Sequence, residues 1–279
     1  MSALAPPLIH EPRGGLPVVL SIPHSGRDYR PWLVDLAIGG RDALFTLEDP
    51  LVDRLAWRAI AQGVGAVVTQ APRAAIDCNR AEDEVDPAVV RNCRPGPLTA
   101  RARGGLGVVP ARTLRHGYLW QRPIDNHELQ QRLDDVHRPF HRAIGTALEA
   151  LLDRYGEAIL IDCHSMPPPQ AGVPPIVIGD RRGRSAAPWV GKAAMRIAHQ
   201  SGFESRLNHP FAGGHVVERH GSPARGVHAI QVEIDRSQYL DSTLTAPGPG
   251  FDRCAQLLMR LALDLGEAVL HRQFATAAE

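Results

Sequence analysis

Apolar residues in this chain follow two rhythms. Short β-branched runs at Pro17–Ile22 (PVVLSI), Ala66–Thr69 (AVVT), Ala158–Asp162 (AILID), Pro175–Gly179 (PIVIG) and Val227–Ile234 (VHAIQVEI) are bounded by Gly or Pro and read as strands. Four of them are continuous rather than alternating, the pattern of strands covered on both faces. Longer stretches, Pro50–Gln62, Asn126–Tyr155, Ala186–Gln200 and Phe251–His271, read as helices. In the second, Leu129, Leu133, Val136, Phe140, Ile144, Leu148 and Leu151 recur at threes and fours, and Pro139 predicts a kink. Strands alternating with helices predict an α/β fold, a single open, mixed but mostly parallel sheet flanked by helices. No repeat or composition shift divides residues 1–279, which therefore read as one domain.

Composition narrows the chemistry. The 279 residues carry 31 Lys+Arg against 30 Asp+Glu, a net charge of +1, so charge gives no reason to expect nucleic acid or a membrane as partner. Aromatic residues, at 5%, are too few to suggest base stacking. No apolar run approaches the ~18 residues of a membrane span. The N-terminal MSALAPPLIHEPRGG lacks the pattern of a secretory signal, so a cytoplasmic location is expected. Cys78, Cys93, Cys163 and Cys254 include no CxxC pair, which argues against a cysteine zinc site or a disulfide framework. Lys192 is the only lysine among the basic residues, which leaves little room for Schiff-base chemistry. Arg91–Arg115, rich in Arg, Gly and Pro, reads as a solvated surface excursion, with anion contact as the rival reading. Pro167–Pro175 reads as a stiff loop. The surplus is thirteen histidines.

Ligands of open α/β sheets bind beyond the carboxyl ends of the strands, so the residues found there matter most. The first strand runs into Pro23-His24-Ser25-Gly26, and AILID runs into Cys163-His164-Ser165-Met166. Ala75-Ile76-Asp77 leads into Cys78-Asn79-Arg80, and Gln231 and Glu233 share one face of the late strand. Taken singly, a histidine after a strand is more often a structural hydrogen-bonder than a ligand. Jointly, neutral imidazoles and a carboxylate suit Zn²⁺ with a position left for water. Glu48-Asp49 offers the third ligand, although both residues would equally serve to cap the helix from Pro50. His137 and His141 sit in HRPFH, which lacks the glutamate of HExxH, and are assigned to packing. His127, His215 and His228 are held as possible neighbours of the site. Ser25 and Ser165 lack a GxSxG elbow. Cys78 and Cys163 lie where buried, inert thiols are common.

Together, IPHSG, EDPLVDRL, IDCNR, IDCHSM, FAGGH and GVHAIQVEIDRSQYL resemble the N-formylglutamate amidohydrolases, with the matching blocks in order from about residue 18 to about 241. This family of metal-dependent deformylases belongs to histidine breakdown and is related in fold to zinc carboxypeptidases and succinylglutamate desuccinylases. The resemblance implies a zinc-carboxypeptidase-like hydrolase fold with His24 and His164 as metal ligands. Asp49 would be the third ligand, with Glu48 as its neighbouring alternative. It further implies Glu233 as the residue that activates water, and Asn79 with Arg80 as the pair that meets the substrate's carboxylate. Two positions depart from the family pattern: Pro50 follows Asp49, and His215 stands in FAGGH, where the family usually shows aromatic residues.

The expected function is a Zn²⁺-dependent amidohydrolase acting on a small-molecule N-acyl amino acid, most simply N-formyl-L-glutamate. A non-catalytic binder of an anionic metabolite on the same fold is the rival. Metal content together with chelator-sensitive hydrolysis separates the two.

Overall fold

The β-branched runs become strands that solvent reaches on neither face. In the computed structural model, which describes residues 2–93, 99–168 and 172–277, seven strands form one sheet. They are β1 (Leu8–His10), β2 (Val18–Ile22), β3 (Gly65–Val68), β4 (Ala158–Met166), β5 (Ile176–Gly179), β6 (Ser205–Leu207) and β7 (Val227–Asp235). Their order is β1-β3-β2-β4-β7-β5-β6. β2 and β7 flank β4 in parallel, β5 lies antiparallel to β7, and β6 is parallel to β5. Every residue of β2, β4 and β7 is buried, as their continuous apolar runs predict.

The chain divides into two compact units. The first comprises Ile9–Ile22, Asp49–Val67 and Ala143–Glu279 and contains most of the sheet; the second comprises Met1–Leu8, Pro23–Glu48 and Val68–Arg142. In the first, the helix Phe251–Ala277 packs on β2, β4 and the helices Val52–Leu55, Trp57–Ala61 and Pro188–Gln200. Its buried stripe includes Cys254, Leu257, Leu258, Leu261, Leu265 and Val269, the three-and-four spacing of one helical face.

Several boundaries differ from the sequence reading. β4 runs on to Met166, so His164 lies inside the strand rather than beyond it. Two short edge strands, β1 and β6, carry too little periodicity to be seen in the sequence. The helix expected over Pro50–Gln62 is broken into Val52–Leu55 and Trp57–Ala61, with Leu51 in the left-handed region at φ 60°. Asn126–Tyr155 is helical as Asn126–Arg132 and Arg138–Tyr155, joined by a π-helical turn over Leu133–His137. Pro139 explains that turn, because it has no N–H to offer the carbonyl four residues back and its ring crowds that carbonyl. The Arg91–Arg115 stretch contains a helix, Ala100–Arg103, and part of a hairpin pairing Arg112–Thr113 with Gly117–Tyr118. Arg91, Arg101, Arg103, Arg112 and Arg115 are exposed. Arg94 and residues 169–171 of the Pro167–Pro175 loop lie outside the described residues.

The second unit is mostly irregular backbone tied down by side chains. Arg132 is buried, donating through Nη2 to Glu128 at 2.5 Å and through Nη1 to the Ala75 carbonyl at 2.9 Å. The imidazoles of His137 and His141 bond the carbonyls of Arg80 and Cys78 at 2.8 and 2.9 Å. The packing role assigned to these two histidines is therefore a specific one, since they hold the backbone on either side of Asn79. Gly26 lies so close to the Gln70–Ala71 backbone that a Cβ there would sit 2.0 Å from the Ala71 oxygen. The Asp28 N–H donates to the Gln70 carbonyl at 2.9 Å and fixes that approach. Gly26→Ala must push two backbones apart, and we expect it to cost about 1–3 kcal/mol, read as a lower urea midpoint with an unchanged m-value.

Candidate metal centre

In parallel strands, residues in register point to the same side of the sheet. Ser21 of β2 lies opposite Asp162 of β4, and Gln231 and Glu233 of β7 lie opposite Asp162 and His164. Three neighbouring strands thus bring Ser21, Asp162, His164, Gln231 and Glu233 to one face, from the middle of β4 and β7 toward their carboxyl ends. All five are buried. A polar side chain buried in this way costs free energy unless it is hydrogen-bonded, and each of these has a partner.

His164 is held at both ring nitrogens. Nε2 meets Asp162 Oδ2 at 2.8 Å and Nδ1 meets Asp49 Oδ2 at 2.9 Å. The other oxygen of each carboxylate is also engaged: Ser21 donates its hydroxyl to Asp162 Oδ1 at 2.7 Å, and Arg236 Nη2 donates to Asp49 Oδ1 at 3.1 Å. Arg236 also places Nε on Ser165 Oγ at 3.1 Å. Burial opposes a charge on the imidazole, but the carboxylates of Asp162 and Asp49 outweigh it and hold the His164 pKa well above its usual value.

His24 follows β2 by two residues, and its Nε2 meets Asp77 Oδ1 at 2.7 Å. Asp77 has no exposed surface and accepts from Arg73 Nε at 2.9 Å and the Asn79 N–H at 2.8 Å, with Arg80 Nη2 as an ion-pair partner at 3.8 Å. Burial alone would raise the Asp77 pKa, but Arg73, Arg80 and His24 reverse that and hold it well below the ordinary carboxylate range. Ligand atoms of His24, Asp49 and His164 all lie within 4.8 Å of one another, and the three residues are buried. Two imidazoles and one carboxylate make a donor set suited to a divalent transition metal. Each imidazole is braced on its Nε2 side by a carboxylate, Asp77 for His24 and Asp162 for His164, the support that orients metal-binding histidines. The residues present fit a metal ion.

Of the two carboxylates offered by Glu48-Asp49, Asp49 joins this group. Glu48 is turned to the Tyr29 hydroxyl, which bonds its Oε1. Burial, reinforced by Glu48, raises the Tyr29 pKa. The expected N-capping does not describe Asp49, because Leu51 occupies the N-cap position of the helix Val52–Leu55. Glu233 Oε1 accepts from Gln231 Nε2 at 2.7 Å. Asn79 and Arg80 lie in the segment clamped by His137 and His141, with Arg80 Nε on the Leu106 carbonyl at 2.8 Å and Nη1 on the Asn79 carbonyl at 2.5 Å.

Two histidines held as possible neighbours lie elsewhere. His127 is exposed on its helix and bonds Gln131 at 3.1 Å. His228 stands five residues before Glu233, roughly 16 Å along the strand and with opposite parity, edge-on to Trp189. His215 opens the short helix His215–His220. Burial pushes the Cys78 and Cys163 thiols up, with help from Asp77 and Asp162, so neither suits a nucleophile. Sequence reasoning passed over Ser21, Asp162 and Arg236. The first two carried a signal, since a Ser in PVVLSI and an Asp in AILID are polar residues inside otherwise apolar runs.

The sequence signature of the N-formylglutamate amidohydrolase family matches residues 16–240. The chain is 28% identical over 246 residues to the N-formylglutamate deformylase of Pseudomonas putida, covering 83% of this chain and 84% of that one. It is also 28% identical over 235 residues to the N-formylglutamate deformylase of Pseudomonas aeruginosa, covering 82% and 84%. Among solved structures it is similar to the N-formylglutamate amidohydrolase of Ralstonia eutropha JMP134, with a TM-score of 0.88, 27% identity, and coverage of 95% of this chain and 99% of that one. The matched segment runs from just before β2 to the residue after Tyr239 and contains all the residues of the candidate centre. The chain belongs to the N-formylglutamate amidohydrolase family.

Proposed function

We propose that this protein is a Zn²⁺-dependent amidohydrolase that converts N-formyl-L-glutamate to L-glutamate and formate, in the cytoplasm, as a step of histidine degradation. What carries the reading is that three buried metal-binding side chains, His24, Asp49 and His164, lie together in a chain of this family, with Glu233 in register with one of them. The two relatives named as N-formylglutamate deformylases support the substrate. Four free cysteines suit a reducing compartment, and among the described residues no helix is long and apolar enough to cross a membrane. The family match draws on segments of both compact units, which supports reading 1–279 as one functional domain.

His24, Asp49 and His164 would hold the metal, the histidines through Nδ1, because Asp77 and Asp162 occupy their Nε2 sides. When bound, a divalent cation supplies Lewis acidity, polarising the formyl carbonyl and making water more acidic at neutral pH. Glu233 takes the proton of the attacking water and returns it to the amide nitrogen as the C–N bond breaks, leaving formate and a free amine. Asn79 and Arg80 would meet a carboxylate of the substrate, a task for which a planar guanidinium is better shaped than an ammonium. Because Arg80 also binds the Leu106 and Asn79 carbonyls, it orders the segment that carries Asn79.

Glu233→Gln keeps size and hydrogen bonding but cannot accept the proton. It is expected to fold, retain metal and lose about 10²–10⁴-fold in kcat with N-formyl-L-glutamate. Near wild-type turnover in this variant would show that Glu233 is not the base. Metal analysis of the purified protein should find about one zinc per chain, and a chelator should abolish hydrolysis until zinc is restored. His164→Ala should remove both metal and activity; an active, metal-free protein would reject the centre. Arg80→Ala is expected to raise KM for the anionic substrate by about tenfold or more, with a smaller change in kcat, measured below its lowered melting point. An unchanged KM would take Arg80 out of substrate binding.

A further inference from the structure

Gln231 stands two residues before Glu233 on the same face of β7, and both are buried. Two hydrogen bonds of its side chain, to groups of opposite kind, set its orientation. Oε1 accepts the main-chain N–H of Gly214 at 2.8 Å, and Nε2 donates to Glu233 Oε1 at 2.7 Å. An amide can usually be turned over at little cost, but a backbone N–H only donates. With Gly214 at one end, the amide nitrogen has to face the carboxylate.

The loop that supplies this N–H is itself fitted closely to the sheet. Gly179 of β5 is in register with Gln231, and a Cβ on Gly179 would lie 2.6 Å from the Ala212 carbonyl carbon and 2.7 Å from the Gly213 nitrogen. Gly213 has φ +117°, where a side chain is strained, and a Cβ there would meet Val217 Cγ2 at 2.7 Å. Glycines at 179 and 213 therefore let the 211–214 loop approach until the Gly214 N–H reaches Gln231. The FAGGH segment, set apart in the sequence without a task, gains one here.

We propose that Gln231 is a positioning residue for the general base, a rigid bridge through which the Gly213-Gly214 loop fixes the rotation of the Glu233 carboxylate. The bridge aligns Glu233 for proton transfer and makes no contact with substrate, so its loss lowers kcat rather than weakening binding. The inference rests on the reading of Glu233 as the base, and the test separates the two.

The measurement is kcat and KM for N-formyl-L-glutamate, with zinc content and melting temperature, on the full-length zinc-loaded protein and three variants. Gln231→Met keeps the volume and removes both hydrogen bonds. Gln231→Glu keeps the acceptor for Gly214 and puts a carboxylate oxygen where Glu233 needs a donor. Both are expected to fold and hold zinc, with kcat down about 10–100-fold and KM changed by less than about threefold. Glu233→Gln, the third variant, serves as the background for a double-mutant cycle. Adding Gln231→Met to it should cause little further loss, because the group being positioned is already gone. A folded Gln231→Met with near wild-type kcat, beside an inactive Glu233→Gln, overturns the Gln231 proposal alone. Full activity in Glu233→Gln overturns the base assignment and this proposal together. Failure of both Gln231 variants to fold, or a loss confined to KM, assigns Gln231 to the scaffold and also overturns it.

Discussion

A histidine with 3% of its surface exposed, set between two carboxylates, constrains the structure around it. Any one of these groups buried alone would carry a desolvation cost of several kcal/mol, and a half-made network is worse than an apolar core. Each member therefore needs a further partner. Asp162 takes Ser21 from the next strand, and Asp49 takes Arg236, which follows β7. The same logic recurs around His24, where Asp77 is surrounded by Arg73, Arg80 and the Asn79 N–H. Each ring is thus oriented by a carboxylate that is itself immobilised, the arrangement a metal site needs if its ligands are to be in place before the ion arrives.

Strand parity then sorts the chemistry. On β4, Asp162 and His164 point to the polar face, while Cys163 points the other way, into surroundings that keep its thiol protonated. On β7, Gln231 and Glu233 share the polar face, whereas His228, of opposite parity and near the start of the strand, belongs to a cluster with Trp189 and Glu157. A shift of either strand by one residue would exchange these sets, and the apolar residues that bury the sheet would be exchanged with them. Packing and chemistry thus select the same register, the kind of agreement between levels that specifies a single fold.

The sheet was legible because its central strands are mostly apolar and buried along their whole length. Five of the seven strands follow from that pattern, and β1 and β6, three residues each at the edges, do not. His24, His164 and Glu233 each had a structural reading when taken singly, and only their joint occurrence at strand ends, with the family resemblance, set them apart. The residues alone left Asp49 and Glu48 open, as neighbours of like chemistry, and the family resemblance favoured Asp49; in the structure Glu48 is turned to Tyr29. His127 and His228 read as possible neighbours of the site because sequence distance says nothing about direction, and a strand of nine residues separates its ends by roughly 26 Å. The partners of the candidate ligands were hidden for another reason. Ser21 lies 141 residues from Asp162 and Arg236 lies 187 from Asp49, and only the fold brings each pair together.

Two of the arginines, Arg80 and Arg132, meet the same demand for buried, oriented positive charge. Arg80 and Arg132 have almost no exposed surface, and burial lowers the pKa of each. A guanidinium starts so high that it stays charged through such a shift, whereas an ammonium, which begins about two units lower, is the group that loses its proton when buried. Geometry adds to this. Arg132 bonds a carboxylate and a carbonyl with separate nitrogens, Arg236 spans Asp49 and Ser165, and Arg80 spans two carbonyls while lying beside Asp77. One ammonium nitrogen would have to replace donors that a guanidinium spreads across a plane. Where a dry interior must hold carboxylates ionised and aimed, arginine satisfies both requirements with one side chain.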